Sequence, residues 1–221
     1  MKKRRKKRIS MKMKAALIVL FIPVSVIVFT LTAIVWPSFY HSDLIRKSAS
    51  TLIEMKDRHS QLTIPEQYIP IYKEAADAYG IPWTLLAAHH RIETKFSTMD
   101  PLLSPVGAEG HMQFMPCTFV GWNYPGCTGG LGQVDIPEQD KTNPEVIKQY
   151  GGYGVDGNGD GVADPYNIED AMFSASKYLA NSGAAVGNYE KAIFNYNRSE
   201  KYVQDVLYFF NEFEEYRTEA K

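Results

Sequence analysis

The sequence predicts a mainly α-helical outer domain behind a single N-terminal membrane-spanning helix. Three observations predict this fold class. A long apolar stretch without charges lies near the N-terminus, several later segments carry apolar residues at helical spacing, and the alternation typical of strands is scarce. With 45% hydrophobic and 13% aromatic residues, the 221-residue chain has the composition of a packed globular protein.

The N-terminal part divides into a basic segment, residues 1–14, and an apolar segment, residues 15–36. As a helix, the apolar segment would be about 33 Å long, which matches the core of a bilayer. Nine basic residues precede it and only Arg46 and Lys47 follow closely, so we expect a cytoplasmic N-terminus and an extracellular remainder. This predicts a single-pass cell-membrane protein. A cleaved signal peptide is the alternative, but no small-x-small site follows Ile34.

The remainder divides near residue 60 into a juxtamembrane helical stalk, residues 37–60, and an outer domain, residues 61–221. Pro65 and Pro70 follow the stalk and mark the change. Because nine of the 24 Lys and Arg residues precede residue 15, the rest of the chain carries 15 basic against 25 acidic side chains. An acidic outer domain argues against binding nucleic acid through phosphate contacts.

Helix-start and helix-stop residues place the elements of the outer domain. Gly80 ends a first helix, Pro82 lies at the start of a second that reaches about Lys95, Pro116 opens a short third, and Asn167 is an N-cap. We therefore expect helices at 71–79, 82–95, from 116, 167–183, 188–196 and 199–216, with loops at 98–113 and 121–143.

The two cysteines, Cys117 and Cys127, lie in the predicted extracellular part, where disulfides persist. A bridge between them would close an 11-residue loop and contribute about 2.8 kcal/mol in the chain-entropy model. We predict a structural disulfide. The alternative is a catalytic cysteine with His89, His90 or His111 as its base.

Glu93 is the candidate catalytic acid. On a helix it shares a face with Leu86 and His89, so its carboxyl lies near the C-terminal end of a core-facing helix. Partial burial and the negative end of the helix dipole both raise the pKa of a carboxyl, which would keep it protonated near neutral pH. A solvated or salt-bridged glutamate is the alternative reading of position alone.

Three motifs follow in order, and together they carry a resemblance. They read Glu-Thr-Lys-Phe at 93–96, Ser-Pro-Val-Gly-Ala-Glu-Gly-His-Met-Gln-Phe-Met-Pro at 104–116, and Ala-Ile-Phe-Asn-Tyr-Asn at 192–197. This order and spacing resembles the soluble-lytic-transglycosylase-like family of the lysozyme superfamily, which implies a lysozyme-like helical domain of the goose-type or lytic transglycosylase kind. Thr94 stands where the family has Ser, and His111 where it has Leu.

The resemblance implies roles for individual residues. Glu93 would be the acid, while Ser104, Gln113, Tyr196 and Asn197 would line the sugar cleft or position the glutamate. Hydroxyl and amide groups suit this task because they form directional hydrogen bonds to a sugar. The alternative is structural: Ser104 and Gln113 cap a loop and Tyr196 packs in the core.

The implied reaction is cleavage of the β-1,4 bond between N-acetylmuramic acid and N-acetylglucosamine in peptidoglycan glycan strands, leaving 1,6-anhydromuramoyl ends. By resemblance it needs one carboxyl and no cofactor. The alternatives are a goose-type lysozyme-like hydrolase, with Asp100 or Glu109 as second acid, and a non-catalytic peptidoglycan-binding domain. The sequence leaves open whether the chain serves growth, division, sporulation, conjugation or a secretion machinery.

Residues 156–164 predict a structural calcium site. They place oxygen ligands at positions 1, 3, 5 and 9 and a glycine at position 6, as in an EF-hand loop, with the backbone carbonyl of position 7 as a further ligand. Position 12 is Asn167 instead of glutamate, so we expect Asp170 to supply the closing carboxylate in preference to Glu169. The alternative is an acidic glycine-rich turn without an ion. The predicted ligands are Asp156, Asn158, Asp160, Val162, Asp164 and Asp170.

Overall fold

The computed structural model describes residues 11, 21, 23–34, 47, 51 and 62–219. The chain divides into two units, residues 1–61 and 62–221. The predicted boundary lies between residues 60 and 61. In the first unit, the basic segment at 1–14 and the stalk at 37–60 fall almost entirely outside the described residues.

The prediction of a membrane-spanning helix at residues 15–36 is wrong for the part of the chain that the structure describes. Within them, no helix combines the length and the apolar character needed to cross a bilayer. Residues 23–34 are helical, and these 12 residues span about 18 Å, whereas a bilayer core is about 30 Å thick. Residues 15–20, 22, 35 and 36 lie outside the described part. Three further predictions depended on this helix and are wrong with it: the single-pass membrane location, the membrane as a partner, and the placement of the two ends of the chain on opposite sides of a membrane.

The second unit is built from helices connected by loops. A 3-10 turn at Glu66–Tyr68 leads into the first helix, and a second 3-10 turn at Ala184–Val186 joins the sixth and seventh. The described helices are α1 (Ile69–Tyr79), α2 (Trp83–Thr94), α3 (Pro116–Val120), α4 (Glu138–Lys141), α5 (Pro144–Tyr150), α6 (Ile168–Asn181), α7 (Tyr189–Tyr196) and α8 (Glu200–Glu219).

Local sequence explains where most of these helices begin and end. Gly80 adopts the left-handed conformation, with φ of 67°, and ends α1, as its lack of a Cβ permits. Asn167 accepts hydrogen bonds from the backbone N–H groups of Glu169 and Asp170 and so caps α6. The long predicted loop at 121–143 in fact contains α4, and α5 follows it, capped by Asn143 with proline at its first turn.

Helix α2 lies at the centre of the unit. It packs against α1 on one side and most extensively against α8 on another, and α1 also packs on α6. Leu85, Leu86, Ala87 and Ala88 of α2 are fully buried. Because α2 is held on several sides, the carboxyl near its C-terminal end is carried by one of the most constrained elements of the unit.

Cys117 of α3 forms the predicted disulfide with Cys127, with Cα atoms 5.7 Å apart. Both cysteines are buried. The alternative of a catalytic cysteine is therefore wrong, because the structure describes no free thiol.

Candidate active site

Glu93 lies one residue before the end of α2 and is partly buried. The chain then turns sharply, since Lys95, Phe96 and Ser97 all have positive φ angles, between 51° and 63°. Non-glycine residues rarely adopt this conformation, and three in succession cost conformational energy that the surrounding packing must offset. The turn ends the helix directly after the residue that carries the carboxyl.

The carboxyl of Glu93 faces a cleft with a volume of about 690 Å³. Four residues assigned by resemblance line the same cleft, although they come from distant parts of the chain: Ser104, Gln113, Tyr196 and Asn197. The other lining residues are Val106, Ala108, Phe114, Met115, Thr118, Trp122, Gly130, Leu131, Tyr178, Asn195 and Arg198. Among the described residues that line it, Glu93 is the only one with a carboxyl.

Burial raises the pKa of Glu93 to about 7, against a hydrogen bond from the hydroxyl of Tyr202 that lowers it. Desolvation dominates because burial removes water that would stabilise the charged carboxylate. A carboxyl with this pKa is protonated in a substantial fraction of molecules at neutral pH and can also work as a base. The side chain is therefore suited to donate and then accept a proton.

Ser104 and Gln113 hold the loop that forms one wall of the cleft. The Ser104 hydroxyl accepts a hydrogen bond from the backbone N–H of Ala108, at 2.9 Å. The Gln113 amide donates to the carbonyl of Gly110 at 2.8 Å, and Gln113 has a φ of 51°. Both side chains thus cap the loop and line the cleft, so the two readings of these residues are compatible.

Tyr196 and Asn197 line the cleft from the end of α7. The Tyr196 hydroxyl donates to the carbonyl of Met112 at 2.8 Å, which ties α7 to the loop that carries Gln113. The Tyr196 ring lies 5.0 Å from the ring of His89. Asn197 is exposed, and its side chain is open to a ligand. Tyr196 has a packing role in addition to its place in the cleft.

Thr94 and His111, the two departures from the family pattern, are not among the residues that line the cleft, and both bond within the protein. Thr94 donates its hydroxyl to the carbonyl of His111 at 2.9 Å. The His111 ring lies between the Ser97 hydroxyl, at 2.6 Å, and the carbonyl of Tyr166, at 2.9 Å. His111 therefore connects the loop after α2 to the segment before α6.

Close backbone contact at Gly110 strengthens the same connection. A Cβ on Gly110 would lie 1.9 Å from the carbonyl oxygen of Pro165, and the residue has a φ of 77°. Only glycine fits this position without a backbone shift. The glycine serves the packing of two backbone segments.

Asp100 and Glu109, the candidate second acids, lie outside the residues that line the cleft. Asp100 is exposed. Glu109 forms an ion pair with Lys141 at 2.7 Å and lines a neighbouring cavity of about 620 Å³. Neither carboxyl is placed with Glu93 around a common ligand.

The loop at residues 156–164 has the oxygen-rich composition of a calcium site, and its side chains form hydrogen bonds within the loop. Among the described residues, no group of three or more acidic, histidine or cysteine side chains is arranged to hold a metal ion. The Asp156 carboxylate accepts hydrogen bonds from the backbone N–H groups of Gly159, Asp160 and Gly161. The donor types fit calcium, whereas their present arrangement satisfies the loop backbone instead.

Asp170 anchors this loop from the first turn of α6. It is fully buried, and it accepts hydrogen bonds from the backbone N–H groups of Gly157, Asn158 and Asp164 at 2.8, 3.2 and 2.9 Å. Burial raises its pKa, against these three hydrogen bonds, which lower it. Oδ1 accepts two of these hydrogen bonds and Oδ2 accepts one, so Oδ2 keeps a further lone pair that a metal ion could use.

Several site residues were missed by the sequence reasoning. Trp122 and Arg198 line the cleft, and Trp122 is 45% exposed, as an aromatic platform for a sugar ring would be. Tyr202 bonds Glu93 across 109 residues. An exposed tryptophan in a glycine-rich loop was a usable indication, whereas no local pattern marks Tyr202.

Comparisons with known proteins give one partial match. No protein-family model matches the chain, and no solved structure matches it significantly. The chain is 34% identical over 97 residues to an L-Ala–D-Glu endopeptidase of Bacillus subtilis (strain 168). The match covers 39% of this chain and 30% of that protein, so the chain spans less than a third of its relative's length.

Proposed function

We propose that the chain is a peptidoglycan lytic transglycosylase in which Glu93 is the catalytic acid and base. The observation that supports this most strongly is the single-carboxyl cleft. A hydrolytic glycosidase normally needs two carboxyl groups around the scissile bond, about 5 to 9.5 Å apart. Among the described residues that line this cleft, Glu93 is the only one with a carboxyl group that could act at the scissile bond.

In the proposed reaction, protonated Glu93 donates its proton to the oxygen that bridges N-acetylmuramic acid and N-acetylglucosamine. The bond from the muramoyl C1 to that oxygen breaks. The resulting carboxylate then takes the proton of the muramoyl C6 hydroxyl, whose oxygen bonds to C1 and closes the 1,6-anhydro ring. The carboxyl ends in its starting state, and no water is consumed.

The cleft supplies the contacts that this substrate needs. Amide groups of Gln113, Asn195 and Asn197 can bond sugar hydroxyls and acetamido groups, and Trp122 offers an aromatic face. Arg198 lines the same cleft, and its guanidinium can bond the carboxylates of a peptide stem.

A second candidate function, cleavage of the peptide stem, is favoured by the comparison. The Bacillus subtilis relative is named for cleavage between L-Ala and D-Glu, a bond of peptidoglycan peptides. Both candidates make the chain an enzyme that acts on peptidoglycan. The transglycosylase is preferred because the cleft geometry concerns this chain directly, whereas 70% of the relative lies outside the match.

The products distinguish the candidates. Purified peptidoglycan should be digested with the protein and the muropeptides weighed by mass spectrometry. We expect ends that are one water lighter than reducing muramoyl ends. Reducing ends would indicate hydrolysis, and new N-terminal D-Glu residues would indicate the endopeptidase; either result, without anhydro ends, would contradict the proposal.

We also propose that the loop at 156–164 takes up a structural Ca²⁺, supported by its oxygen spacing. Binding to the folded state alone raises its stability by mass action. The melting temperature should therefore be higher in millimolar calcium than in chelator, and Asp160→Ala should remove the difference. The proposal is wrong if the unmodified protein melts at the same temperature in both.

A further inference from the structure

A line of three side chains runs from the cleft into the core behind Glu93. The Tyr202 hydroxyl of α8 contacts Oε1 of Glu93, and Nδ1 of His89 lies 3.0 Å from the same hydroxyl oxygen. His89 is fully buried, one helical turn before Glu93 on α2. Its second ring nitrogen, Nε2, is buried with no hydrogen-bond partner among the described residues.

The unpartnered nitrogen decides how the protons are arranged. Burial lowers the pKa of His89 to about 3, so the ring is neutral and carries one N–H. A buried N–H without an acceptor costs more than a buried lone pair without a donor and is rarer in proteins. The proton therefore belongs on Nδ1, where the Tyr202 oxygen accepts it.

The position of this proton determines the direction of the hydrogen bond between Tyr202 and Glu93. Once the Tyr202 oxygen accepts the proton of His89, its own hydroxyl hydrogen is free to point at Glu93. Oε1 is then an acceptor in both protonation states of the carboxyl. If the proton of His89 were on Nε2 instead, that N–H would be unpaired and the Tyr202 hydroxyl would donate to Nδ1. Protonated Glu93 would then donate to Tyr202, and its proton would point away from the cleft.

We propose that His89 and Tyr202 are positioning residues that reserve Oε1 of Glu93 as a hydrogen-bond acceptor, so that the catalytic proton is carried by Oε2 on the cleft side. This inference rests on the proposed function. It explains how one carboxyl, lacking a partner carboxyl in the described cleft, presents its proton to a bound sugar in every cycle. Neither positioning residue touches the substrate.

The surroundings of Glu93 contain few other titratable groups. Tyr202 faces it from α8, Tyr196 from α7 and His89 from α2 itself, and the pKa of both tyrosine hydroxyls is raised well above the usual value, mainly by burial. Arg198 lines the same cleft. Near neutral pH, the two tyrosines and His89 therefore stay uncharged while Glu93 titrates.

The tautomer of His89 is the first test. The full chain is labelled with ¹⁵N-histidine, and the ring signals of His89 are assigned by their loss in His89→Asn. We expect the proton on Nδ1, with Nε2 showing the shift of an unprotonated nitrogen. A proton on Nε2 would overturn the proposal, and this measurement needs no substrate.

The second test is kinetic. Tyr202→Phe removes the donor to Oε1, and we expect kcat for glycan cleavage to fall about 10- to 100-fold with KM little changed. Because that donor lowers the pKa of Glu93, its loss should also move the alkaline limb of the rate profile to higher pH. Tyr208→Phe, an exposed tyrosine on the same helix, is the matched control.

Variants of His89 test the hydrogen bond between His89 and Tyr202. An asparagine places an amide N–H near the position of Nδ1, so His89→Asn should retain more kcat than His89→Leu. Equal activity and unshifted pH profiles in Tyr202→Phe and His89→Leu would overturn the proposal. Full glycan cleavage by Glu93→Gln would instead remove the proposed function, while the tautomer measurement would still report the proton arrangement.

Discussion

Glu93→Gln is expected to lower the rate of glycan-strand cleavage at least about 1,000-fold, because one side chain performs both the acid and the base step. The amide of glutamine cannot give up a proton to the bridging oxygen. Its carbonyl can still accept the hydrogen bond from Tyr202, so the fold around the site should be retained. Muropeptide release from purified peptidoglycan measures the effect.

The matched control is Glu74→Gln, an exposed glutamate on α1. It should cleave at the wild-type rate. Asp100→Asn and Glu109→Gln test the two-acid alternative, and both should retain activity because neither side chain lines the cleft. A large loss in either variant, with Glu93→Gln active, would contradict the assignment.

Glu93→Gln should also stabilise the protein at neutral and alkaline pH. The pKa of Glu93 is raised in the folded state, so between about pH 4 and pH 7 the folded state binds more protons than the unfolded state. Wild-type stability attributable to this group therefore falls as pH rises through that window. The variant should gain on the order of 2 kcal/mol over wild type above pH 7 and little below pH 4.

The second large effect is expected at Asp170, whose substitution should affect stability more than chemistry. Asp170 is fully buried, and Asp170→Ala leaves three part-buried backbone N–H groups without their acceptor. Since a buried unsatisfied donor costs about 1 to 3 kcal/mol, we expect a loss of about 3 to 4 kcal/mol in the free energy of unfolding. For a unit of this size the melting temperature should fall by about 10 °C.

Glu169→Ala is the control for Asp170→Ala, because it removes a neighbouring carboxylate from the same turn of α6. Both variants should be melted in chelator, so that any calcium effect is excluded. A fall in melting temperature of the same size in both would show that charge in the first turn matters, and that the three backbone hydrogen bonds do not.

Local signals in the sequence predict much of the helical unit. Gly80, Pro82, Pro116 and Asn167 mark helix boundaries through backbone conformation and capping, which depend on adjacent residues alone. Helix α5, however, was not predicted from these local signals. Its cap at Asn143, its proline and the left-handed Gly151 were all visible, but they lie after a loop rich in glycine and proline.

The site could be predicted only in part, for a physical reason. The motifs place Glu93, Ser104, Gln113 and Tyr196 in order along the chain, and the structure brings them around one cleft. Burial raises the pKa of Glu93, and the hydrogen bond that opposes this effect comes from Tyr202, 109 positions away. Tyr202 and the packing of α8 on α2 depend on tertiary contacts that no local pattern records.

The membrane prediction went wrong through reliance on composition. An apolar stretch free of charge predicts a span only if a long apolar helix forms there, and among the described residues of this stretch, 21 and 23–34, no such helix is found. The disulfide prediction was confirmed because it depended on two residues and one loop length.

The proposed mechanism depends on a carboxyl in the cleft that holds its proton near neutral pH. Its most direct test is a titration of Glu93 by ¹³C NMR on the full chain, with the signal assigned by its absence in Glu93→Gln. We expect a midpoint near pH 7, the value to which burial raises the pKa. A midpoint near the ordinary value of a glutamate, about 4.3, would show a solvated side chain and contradict the mechanism.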